Sequence, residues 1–333
     1  MTSPMRSGST IVTLTMNPAL DITTDTDRVI HTDKMRCGLP RYDPGGGGIN
    51  VARIAHVLGE SALALFPAGG HAGNKVTDLV VNSGVPVQPI PVANSTRESF
   101  TVDERRSGNQ YRFVLPGPHL TDAEQTECLE KLSTAARSAD FVVASGSLPP
   151  GVPTDFYQRV ADICRDRGAL LILDTSGGGL RHISSGVFLL KPSVRELREC
   201  VGRELISEAE QLAAARELID RGCAQVVVVS LGAKGALLAT PHGSQRYSAV
   251  EVPGGSGVGA GDAMTAGITV GLKRGWQLDK AVRLGIAAGS AMLLTPGTAH
   301  CNREDVERFF DMVADPIDLD DHRRLATPAK AAP

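Results

Sequence analysis

A glycine-rich segment late in the chain carries the clearest chemical signal in the sequence. Residues 254–262 read GGSGVGAGD, and an apolar stretch with helical spacing, 263–272, follows. A glycine loop that leads into a helix points unpaired backbone N–H groups at one spot, which suits a phosphate or a phosphoryl transition state. The spacing predicts that Asp262 lies in the first turn of this helix, where it can position a hydroxyl group.

The position of Asp262 allows two interpretations. An acidic side chain in the first turn of a helix often only complements the helix dipole, which stabilises the helix by about 0.3 to 1 kcal/mol. The glycines before Asp262 favour a chemical role instead, because they are costly in regular structure. A helix N-terminus should lower the pKa of this carboxyl group and weaken it as a base. Phosphoryl transfer tolerates a weak base, since positioning contributes more than proton removal.

The same segment also fits a pattern from another enzyme class. Residues 255–260 match G-x-G-x-x-A, the dinucleotide-binding pattern of Rossmann dehydrogenases. That pattern should follow the first strand of a βαβ unit, whereas this loop lies late in the chain. Hydride transfer is therefore disfavoured. The P-loop pattern G-x-x-x-x-G-K-[ST] does not occur, so an ATP site here is of another type.

Three more segments place glycine or charge at the start of a helix or the end of a strand. Residues 43–50 read DPGGGGIN, and four successive glycines indicate close approach to a ligand or a flexible turn. Residues 17–21, NPALD, put a carboxylate after the first strand, where open α/β sheets bind ligands. In residues 190–196, LKPSVRE, Lys191 suits a phosphate and Glu196 suits Mg²⁺ held through water. A capped helix with a surface lysine explains this last pattern equally well.

The pattern around these segments alternates short β-branched runs with amphipathic stretches. This alternation predicts an α/β fold of three layers, with a mostly parallel sheet and helices on both faces. The predicted strands are 11–16, 141–144, 170–174, 187–190 and 226–230, and the predicted helices are 50–58, 122–136, 154–167, 208–221 and 263–272.

Two segments interrupt this alternation. Residues 22–43 and 99–115 lack long helical patterns, and Gly108-Asn109 predicts a turn between two strands. We interpret them as a small β-sheet lid inserted into the main domain. The predicted organisation is a main domain of residues 1–21, 45–96 and 118–315, a discontinuous β-lid of 22–44 and 97–117, and a flexible tail of 316–333.

Composition argues against several classes of partner. The 333 residues carry 34 Lys and Arg against 37 Asp and Glu, a net charge of -3, so no overall positive field favours nucleic acid. The six cysteines include no C-x-x-C pair, which predicts free thiols that pack in the core of a protein from a reducing compartment. No stretch approaches the roughly 18 apolar residues of a membrane span. We therefore expect a cytoplasmic protein that binds neither nucleic acid nor membrane.

Taken together, these segments resemble the PfkB sugar kinases, which have the ribokinase fold. The resemblance covers nearly the whole chain and includes PGGGGINVAR, FPAGG, YRFVLPG, SGSLPPGV, VVVSLG and GVGAGD in the family's order. So many matching motifs make the resemblance highly specific. Within the family, the chain is most similar to the bacterial members that phosphorylate fructose 6-phosphate with ATP.

The resemblance implies roles for the residues of the site. The aspartate that matches Asp262 is the catalytic base of the family, and the amides that match Gly259, Ala260 and Gly261 form its anion hole. Positions that bind the sugar or its phosphate are matched by Asp21, Lys34, Gly46, Gly47, Asn50, Arg97, Arg112 and Ser145. Arginine suits the substrate phosphate because its planar fork pairs with two oxygens.

The resemblance also implies ATP and Mg²⁺ as cofactors, with K⁺ in many relatives. Nucleotide-binding positions are matched by Lys191, Ser193, Ser230, Gly232, Gly235, Ala287 and Ser290. The K⁺ region is matched by Ser256, Val258 and Gly297, and Glu196 would order Mg²⁺ through water. Two positions depart from the family pattern: Ser193 replaces the usual Asn of the N-x-x-E metal motif, and Gly257 stands where Thr or Ser is common. These departures alter the expected surroundings of Mg²⁺ and of the anion hole.

The substrate and its alternatives follow from the same resemblance. We expect ATP-dependent phosphorylation of fructose 6-phosphate to fructose 1,6-bisphosphate. Kinases of fructose 1-phosphate and tagatose 6-phosphate share the scaffold but usually have Lys where Gly47 stands. A non-catalytic sugar or nucleotide sensor is the alternative from another class, and Ser193 is its best support. We expect the lid to close over the sugar and to form a homodimer, because its strand edges and apolar face would otherwise meet water.

Overall fold

The computed structural model describes residues 10–252, 257–295 and 301–320. In chain order the strands are β1 Thr10–Leu14, β2 Ala19–Thr26, β3 Arg41–Gly45, β4 Ala62–Ala68, β5 Val87–Pro91, β6 Arg97–Glu104, β7 Gln110–Val114, β8 Ala139–Ser145, β9 Leu170–Asp174, β10 Val187–Leu190, β11 Ala224–Ser230, β12 Ala236–Thr240, β13 Gly243–Tyr247 and β14 Ile317–Asp318. The helices are α1 Gly47–Val57, α2 Gly70–Asn82, α3 Asp122–Ala135, α4 Phe156–Arg167, α5 Gly178–Arg181, α6 Val194–Val201, α7 Glu208–Asp220, α8 Ala260–Lys273, α9 Leu278–Met292 and α10 Arg303–Met312.

A 10-stranded sheet runs through the centre of the molecule in the order β14-β13-β12-β11-β10-β9-β8-β1-β4-β5. From β11 to β5 the strands are parallel, and β12, β13 and β14 extend the sheet with antiparallel pairs. Parallel strands are covered on both faces, so they read as continuous apolar runs such as Val226–Val229.

Helices cover both faces of this sheet and create two apolar cores. Because consecutive residues of a strand point to opposite faces, Ile11 joins the core that holds α1, α2, α8, α9 and α10. Its neighbour Val12 joins the core that holds α3, α4, α6 and α7. The three-layer α/β architecture predicted from the sequence is confirmed.

A second, 4-stranded sheet has the order β3-β2-β6-β7. Strands β2 and β6 are parallel to each other, and each has an antiparallel neighbour on its other side. Ala19 already pairs with Arg97, so β2 begins before residue 22, where the lid was expected to start. Phe113 and Val114 of this lid sheet are 55% and 59% exposed. The small separate sheet is therefore present, and it carries an apolar exposed surface.

The two edges of the central sheet are protected in different ways. Edge strand β5 contains Pro89 and Pro91, which cannot donate a ladder hydrogen bond. At the other edge, β14 pairs with β13, and the backbone N–H of Ser244 donates to the Asp320 carboxylate at 2.6 Å. Residues 316–320 thus differ from the expected flexible tail, because pairing with β13 holds them.

Helix α1 begins earlier than the sequence pattern predicted, at Gly47 instead of residue 50. Helix α8 starts at Ala260, so Asp262 lies in its first turn as the sequence predicted. The N–H of Ile49 donates to the Thr15 hydroxyl at 2.9 Å, which fixes the first turn of α1 against the segment after β1. The residues of both glycine loops therefore become the first turns of helices.

The sequence predicted that the six cysteines are free thiols that pack in the core. All six cysteines lie in the described ranges as free thiols; Cys128, Cys164, Cys223 and Cys301 are buried, whereas Cys37 is exposed. The prediction of core packing is thus wrong for Cys37.

Across the described residues, no helix combines the length and apolar character that a membrane crossing requires.

Candidate active site

Three elements bring polar side chains together at the carboxyl ends of the parallel strands. Asp262 lies in the first turn of α8, Asn50 in α1, and Ser145 at the end of β8. The amide nitrogen of Asn50 donates to Asp262 Oδ2 at 2.9 Å, and the Ser145 hydroxyl donates to Oδ1 at 3.5 Å. Both oxygens of the partly buried carboxylate are thus oriented by neighbours, as a residue that positions a substrate hydroxyl requires.

The glycines before α1 are required by close packing. Gly46 has φ 123, and a Cβ atom there would lie 2.5 Å from Thr15 Cγ2. At Gly47 a Cβ would lie 2.1 Å from the Ser145 oxygen and 3.0 Å from Asp262 Oδ1. Real Cβ atoms do not approach that closely, so this turn can contact the Asp262 carboxylate only as glycine.

The start of α8 presents backbone amides beside Asp262. Gly259 is the N-cap residue and has a left-handed conformation with φ 76. The first N–H groups of a helix have no partner within the helix, so the amides around Gly259, Ala260 and Gly261 can bind an anion. The Lys191 ammonium group lies close to Gly261, since its Nζ would be 3.6 Å from a Cβ atom added to that glycine. Its positive charge therefore adds to the attraction that these amides exert on an anion.

A buried ion pair lies behind these amides. Lys191 Nζ is 3.1 Å from Asp174 Oδ2, and the two side chains are 4% and 13% exposed. The Thr265 hydroxyl is 3.0 Å from the same Asp174 oxygen and 3.0 Å from the Gly261 carbonyl oxygen. The interpretation of Lys191 as a surface residue is therefore wrong. Sequence reasoning missed Asp174, although its position at the end of a predicted strand was a usable signal.

The electrostatics of Asp262 reverse the expected shift. Burial raises the pKa of Asp262 to about 6, and the Asp174 carboxylate adds to this rise. The hydrogen bond from Asn50 and the charge of Lys191 act in the opposite direction without outweighing them. The prediction that the helix N-terminus lowers this pKa is wrong, because desolvation is the larger effect. For Lys191, burial is the largest single influence and favours the neutral form, but the carboxylates of Asp174, Glu196 and Asp262 together act in the opposite direction and raise the pKa.

A cavity of about 360 Å³ lies between the lid sheet and the strand ends. It is lined by carboxylates and small residues from the main layer and by two arginines, Arg97 and Arg112, from the lid sheet. The Arg97 guanidinium donates to the backbone oxygens of Asn17 at 3.1 Å and Leu115 at 3.2 Å. The expected site residues that line the cavity are Asp21, Gly46, Gly47, Asn50, Arg97, Arg112, Ser145, Glu196, Val258, Gly259 and Asp262.

Lys34 is the expected substrate-binding residue that the structure keeps away from this cavity. It lies in the loop between β2 and β3, where residues 31–40 are exposed. Sequence reasoning missed Ser99, Ser147 and Thr175, which also line the cavity. The sequence indicates these three residues only weakly as binding residues, because isolated hydroxyl residues are common in and after strands.

The expected nucleotide-binding residues described here lie in two places, at the end of β11 with the turn after it and on helix α9. Ser230 ends β11, and its N–H donates to the Pro192 carbonyl at 2.9 Å, beside Ser193. Gly232 and Gly235 follow with positive φ values of 60 and 102. On α9, Ala287 is 0% and Ser290 5% exposed, so their side chains pack inside the main layer.

The expected metal ligand Glu196 already serves as a helix cap. Its Oε2 accepts hydrogen bonds from the N–H and the hydroxyl of Ser193, each at 2.8 Å. The residue still lines the cavity, and its oxygen chemistry fits Mg²⁺ held through water. For K⁺, Val258 lies at the cavity, whereas Ser256 and Gly297 lie outside the described residues.

The chain is similar in sequence and in structure to known proteins. A Mycobacterium tuberculosis protein named ATP-dependent 6-phosphofructokinase isozyme 2 is 71% identical over 309 residues, which cover 93% of this chain and 91% of that protein. A structure of phosphofructokinase-2 from Escherichia coli in complex with potassium has a TM-score of 0.88 at 38% identity and covers 91% of this chain and 99% of that one.

Two more structures of the E. coli enzyme are similar. The complex with fructose-6-phosphate has a TM-score of 0.86 at 37% identity, with 92% and 99% of the two chains covered. The tetrameric inhibited form has a TM-score of 0.86 at 37% identity, with 91% and 99% covered. A family model described as pfkB family carbohydrate kinase matches residues 14–305. This chain therefore belongs to the pfkB family of carbohydrate kinases.

Proposed function

We propose that the protein transfers the terminal phosphoryl group of ATP to the 1-hydroxyl of fructose 6-phosphate, giving fructose 1,6-bisphosphate. The observation that carries this proposal is one cavity that holds both the Asp262 carboxylate and two arginines of the lid sheet, Arg97 and Arg112. A kinase of any sugar can use such a carboxylate to position the attacking hydroxyl. Two arginines in the same cavity favour a sugar that already bears a phosphate, because they can pair with its oxygens. The name of the M. tuberculosis relative supports the same substrate.

Different residues of the chain have different roles in the proposed phosphoryl transfer. Asp262 accepts a hydrogen bond from the attacking hydroxyl and aligns it, and it receives the proton late because the transition state is loose. Asn50 and Ser145 keep the carboxylate in place. The amides of Gly259, Ala260 and Gly261, together with Lys191, stabilise the negative charge that is carried by the transferred group.

The cofactors of this proposal are ATP, Mg²⁺ and K⁺. Glu196 would hold Mg²⁺ through water while keeping one oxygen on the helix cap, and a bound Mg²⁺ would supply shielding of the phosphate charges. The potassium complex of the E. coli enzyme supports a K⁺ site near Val258. The nucleotide would lie along Ser230, Gly232 and Gly235, and positive φ at the two glycines lets the backbone come close. Adenine would lie near Ala287 and Ser290.

We also propose that two chains associate through the lid sheet in the cytoplasm. Exposed apolar residues on that sheet and the tetrameric form of the E. coli enzyme support self-association. Lys34 lies in an exposed loop of the same lid, so it would bind substrate phosphate only after lid closure or association. Six free thiols support a reducing compartment.

A coupled assay of ADP release tests the proposed substrate. Fructose 6-phosphate, fructose 1-phosphate, tagatose 6-phosphate and fructose are compared with ATP, while Mg²⁺ and K⁺ are varied. We expect the highest kcat/KM on fructose 6-phosphate, and Arg112→Met should raise its KM about tenfold or more without changing the KM of fructose. A higher kcat/KM on another sugar would overturn the substrate assignment, and no sugar-dependent ADP release would identify a sensor.

A further inference from the structure

Tyr157 is a buried tyrosine that the proposed phosphoryl transfer does not use. It lies in α4 and is 0% exposed, in the core on the face of the central sheet opposite α1 and α8. Burial raises the pKa of Tyr157, so its hydroxyl stays protonated and acts as a donor. The hydroxyl donates to the carbonyl oxygen of Gly146 at 2.8 Å. Because Gly146 lines the cavity beside Asp262, this core residue reaches a wall of the candidate site.

The Gly146 peptide groups are held by further hydrogen bonds. The hydroxyl of Thr175, a residue that is 4% exposed, donates to the same carbonyl oxygen at 2.9 Å. A carbonyl oxygen accepts two hydrogen bonds, so this one is saturated. The Gly146 N–H donates to the Asp174 carbonyl oxygen at 2.9 Å. Glycine is conformationally permissive, so these bonds, and no side chain of its own, fix Gly146 at φ 110.

The direction of the Gly146 carbonyl decides what the next peptide group presents to the cavity. In a trans peptide, the C=O of one residue and the N–H of the next point in opposite directions. The Gly146 oxygen is turned towards Tyr157 and the core, so the Ser147 N–H is turned away from that core. Ser147 lines the cavity, and within the described ranges its N–H donates to no protein group. The wall of the cavity thus contains a backbone donor that is available to a ligand.

Ser147 is linked to one of the two lid arginines. Its hydroxyl oxygen accepts a hydrogen bond from the side-chain amide of Asn17 at 3.2 Å, which leaves the hydroxyl proton available as well. The backbone oxygen of Asn17 accepts a hydrogen bond from the Arg97 guanidinium at 3.1 Å. Backbone N–H groups, hydroxyl groups and arginine are donors that suit a phosphate. The Ser147 donors therefore lie on the side of the cavity that favours an anion.

We propose that Tyr157 is a positioning residue that holds the Gly146–Ser147 peptide so that the Ser147 N–H faces the phosphate of the sugar. The inference rests on the proposed function, because it requires a phosphorylated sugar beside Arg97. Without the hydroxyls of Tyr157 and Thr175, the peptide is free to turn over and to bring the Gly146 carbonyl oxygen towards the phosphate. A partial negative charge then replaces a donor. Binding of the sugar phosphate weakens, while the nucleotide side keeps its contacts.

The test compares Tyr157→Phe, Thr175→Val and the double variant in the full-length protein. Tyr157→Phe keeps the ring and should raise the KM for fructose 6-phosphate about threefold, because Thr175 still holds the carbonyl. The double variant frees the carbonyl and should raise this KM about thirtyfold or more, beyond the product of the two single effects. The KM for ATP should stay within about twofold in every variant. Calorimetric titration of fructose 6-phosphate without ATP should show the same losses in affinity.

Tyr247→Phe is the matched control for the loss of a buried tyrosine hydroxyl. Tyr247 is also 0% exposed, donates its hydroxyl to the Gln245 side chain in β13, and does not line the cavity. This variant should lower the temperature of thermal unfolding, as Tyr157→Phe does, but should leave the KM of the sugar within about 1.5-fold. A purely structural role of Tyr157 predicts the same behaviour for both variants.

Three results would overturn the proposal. They are an unchanged KM for fructose 6-phosphate in Tyr157→Phe, a double variant that is no weaker than Thr175→Val, and an equal rise in the KM for ATP. If the double variant does not fold, the single variant Tyr157→Phe decides. A wild-type protein that neither binds nor phosphorylates fructose 6-phosphate would instead refute the proposed function, which separates the two failures.

Discussion

The Asp262 carboxylate combines two properties that usually oppose each other. It is ionised near neutral pH, so it can accept a hydrogen bond from an alcohol, and its pKa of about 6 makes it a better base than an ordinary aspartate. Burial and the nearby Asp174 carboxylate raise the pKa, and Asn50 and Lys191 prevent a larger rise. The balance among these neighbours sets the reactivity of the residue.

Asp262→Asn should abolish activity and stabilise the protein. We expect kcat to fall by roughly 10²–10⁴-fold with little change in the KM for ATP. The folded-state pKa of Asp262 is raised, so the ionised group opposes folding above pH 6, and its removal should add on the order of 1–2 kcal/mol to the free energy of unfolding. Denaturant titrations at pH 8 measure this gain.

The same titrations at low pH provide the control for Asp262→Asn. Below about pH 3 the carboxyl group is largely protonated in both the folded and the unfolded chain, so the stability difference between the variant and the wild type should vanish. A variant that is less stable than the wild type at pH 8 would contradict the role assigned to burial.

The pH dependence of kcat/KM should report Asp262 in the free enzyme. Protonated Asp262 cannot accept a hydrogen bond from the substrate hydroxyl, so we expect kcat/KM to rise with pH through about 6. Asp174→Asn removes a charge that raises the pKa of Asp262, so the rising limb should move to lower pH. A limb that stays in place would show that Asp174 does not act on Asp262.

The sequence predicted the residue types of the site better than their electrostatics. Asp262, Asn50, Ser145, Arg97 and Arg112 were expected, and the structure brings them to one cavity. The sign of the pKa shift was not predictable, because desolvation depends on how α1, α8 and β8 pack together. The ion pair of Lys191 likewise depends on strand order, since its partner lies in β9, a strand adjacent to β10.

At the scale of elements, the first turns of α1 and α8 form the site together. Sequence periodicity placed the start of α1 three residues too late, because glycine has a low helix propensity and marks loops. Contacts from outside the helix overcome this propensity, such as the bond from the Ile49 N–H to the Thr15 hydroxyl. The lid boundary within β2 was missed for a similar reason, since only strand pairing shows that Ala19 already belongs to the second sheet.

Gly47→Ala should disturb the contact between these helix ends. The new Cβ would lie 2.1 Å from the Ser145 oxygen and 3.0 Å from Asp262 Oδ1. Overpacking of this kind costs about 1–3 kcal/mol, and the displaced carboxylate should lower kcat/KM by about tenfold or more. Thermal unfolding and the coupled assay measure the two effects.

Ser145→Gly provides the compensating change for Gly47→Ala, because it removes the atoms that the new methyl group would meet. The double variant should regain most of the stability that Gly47→Ala loses, and Ser145→Gly alone sets the baseline. If the two losses simply add, the steric explanation is wrong.

At the scale of the whole molecule, the lid sheet is the surface through which we propose that two chains associate. Phe113→Asp places a charge on its exposed apolar face, so we expect dissociation into single chains and a raised KM for the sugar. Sedimentation velocity measures the mass. Ile206→Asp is the matched control, because Ile206 is 86% exposed and lies outside the lid. A mass that is unchanged by Phe113→Asp would exclude this face as the interface.

The prolines in β5 and the short strand β14 at the opposite rim have a consequence for crowded solutions. Neither rim of the central sheet offers a continuous row of free backbone groups, so this sheet gives neighbouring molecules no template for continued strand addition. If two chains associate through the lid sheet, as we propose, that two-fold contact closes on itself. The protein should thus form small assemblies of fixed size and resist fibre formation at high concentration.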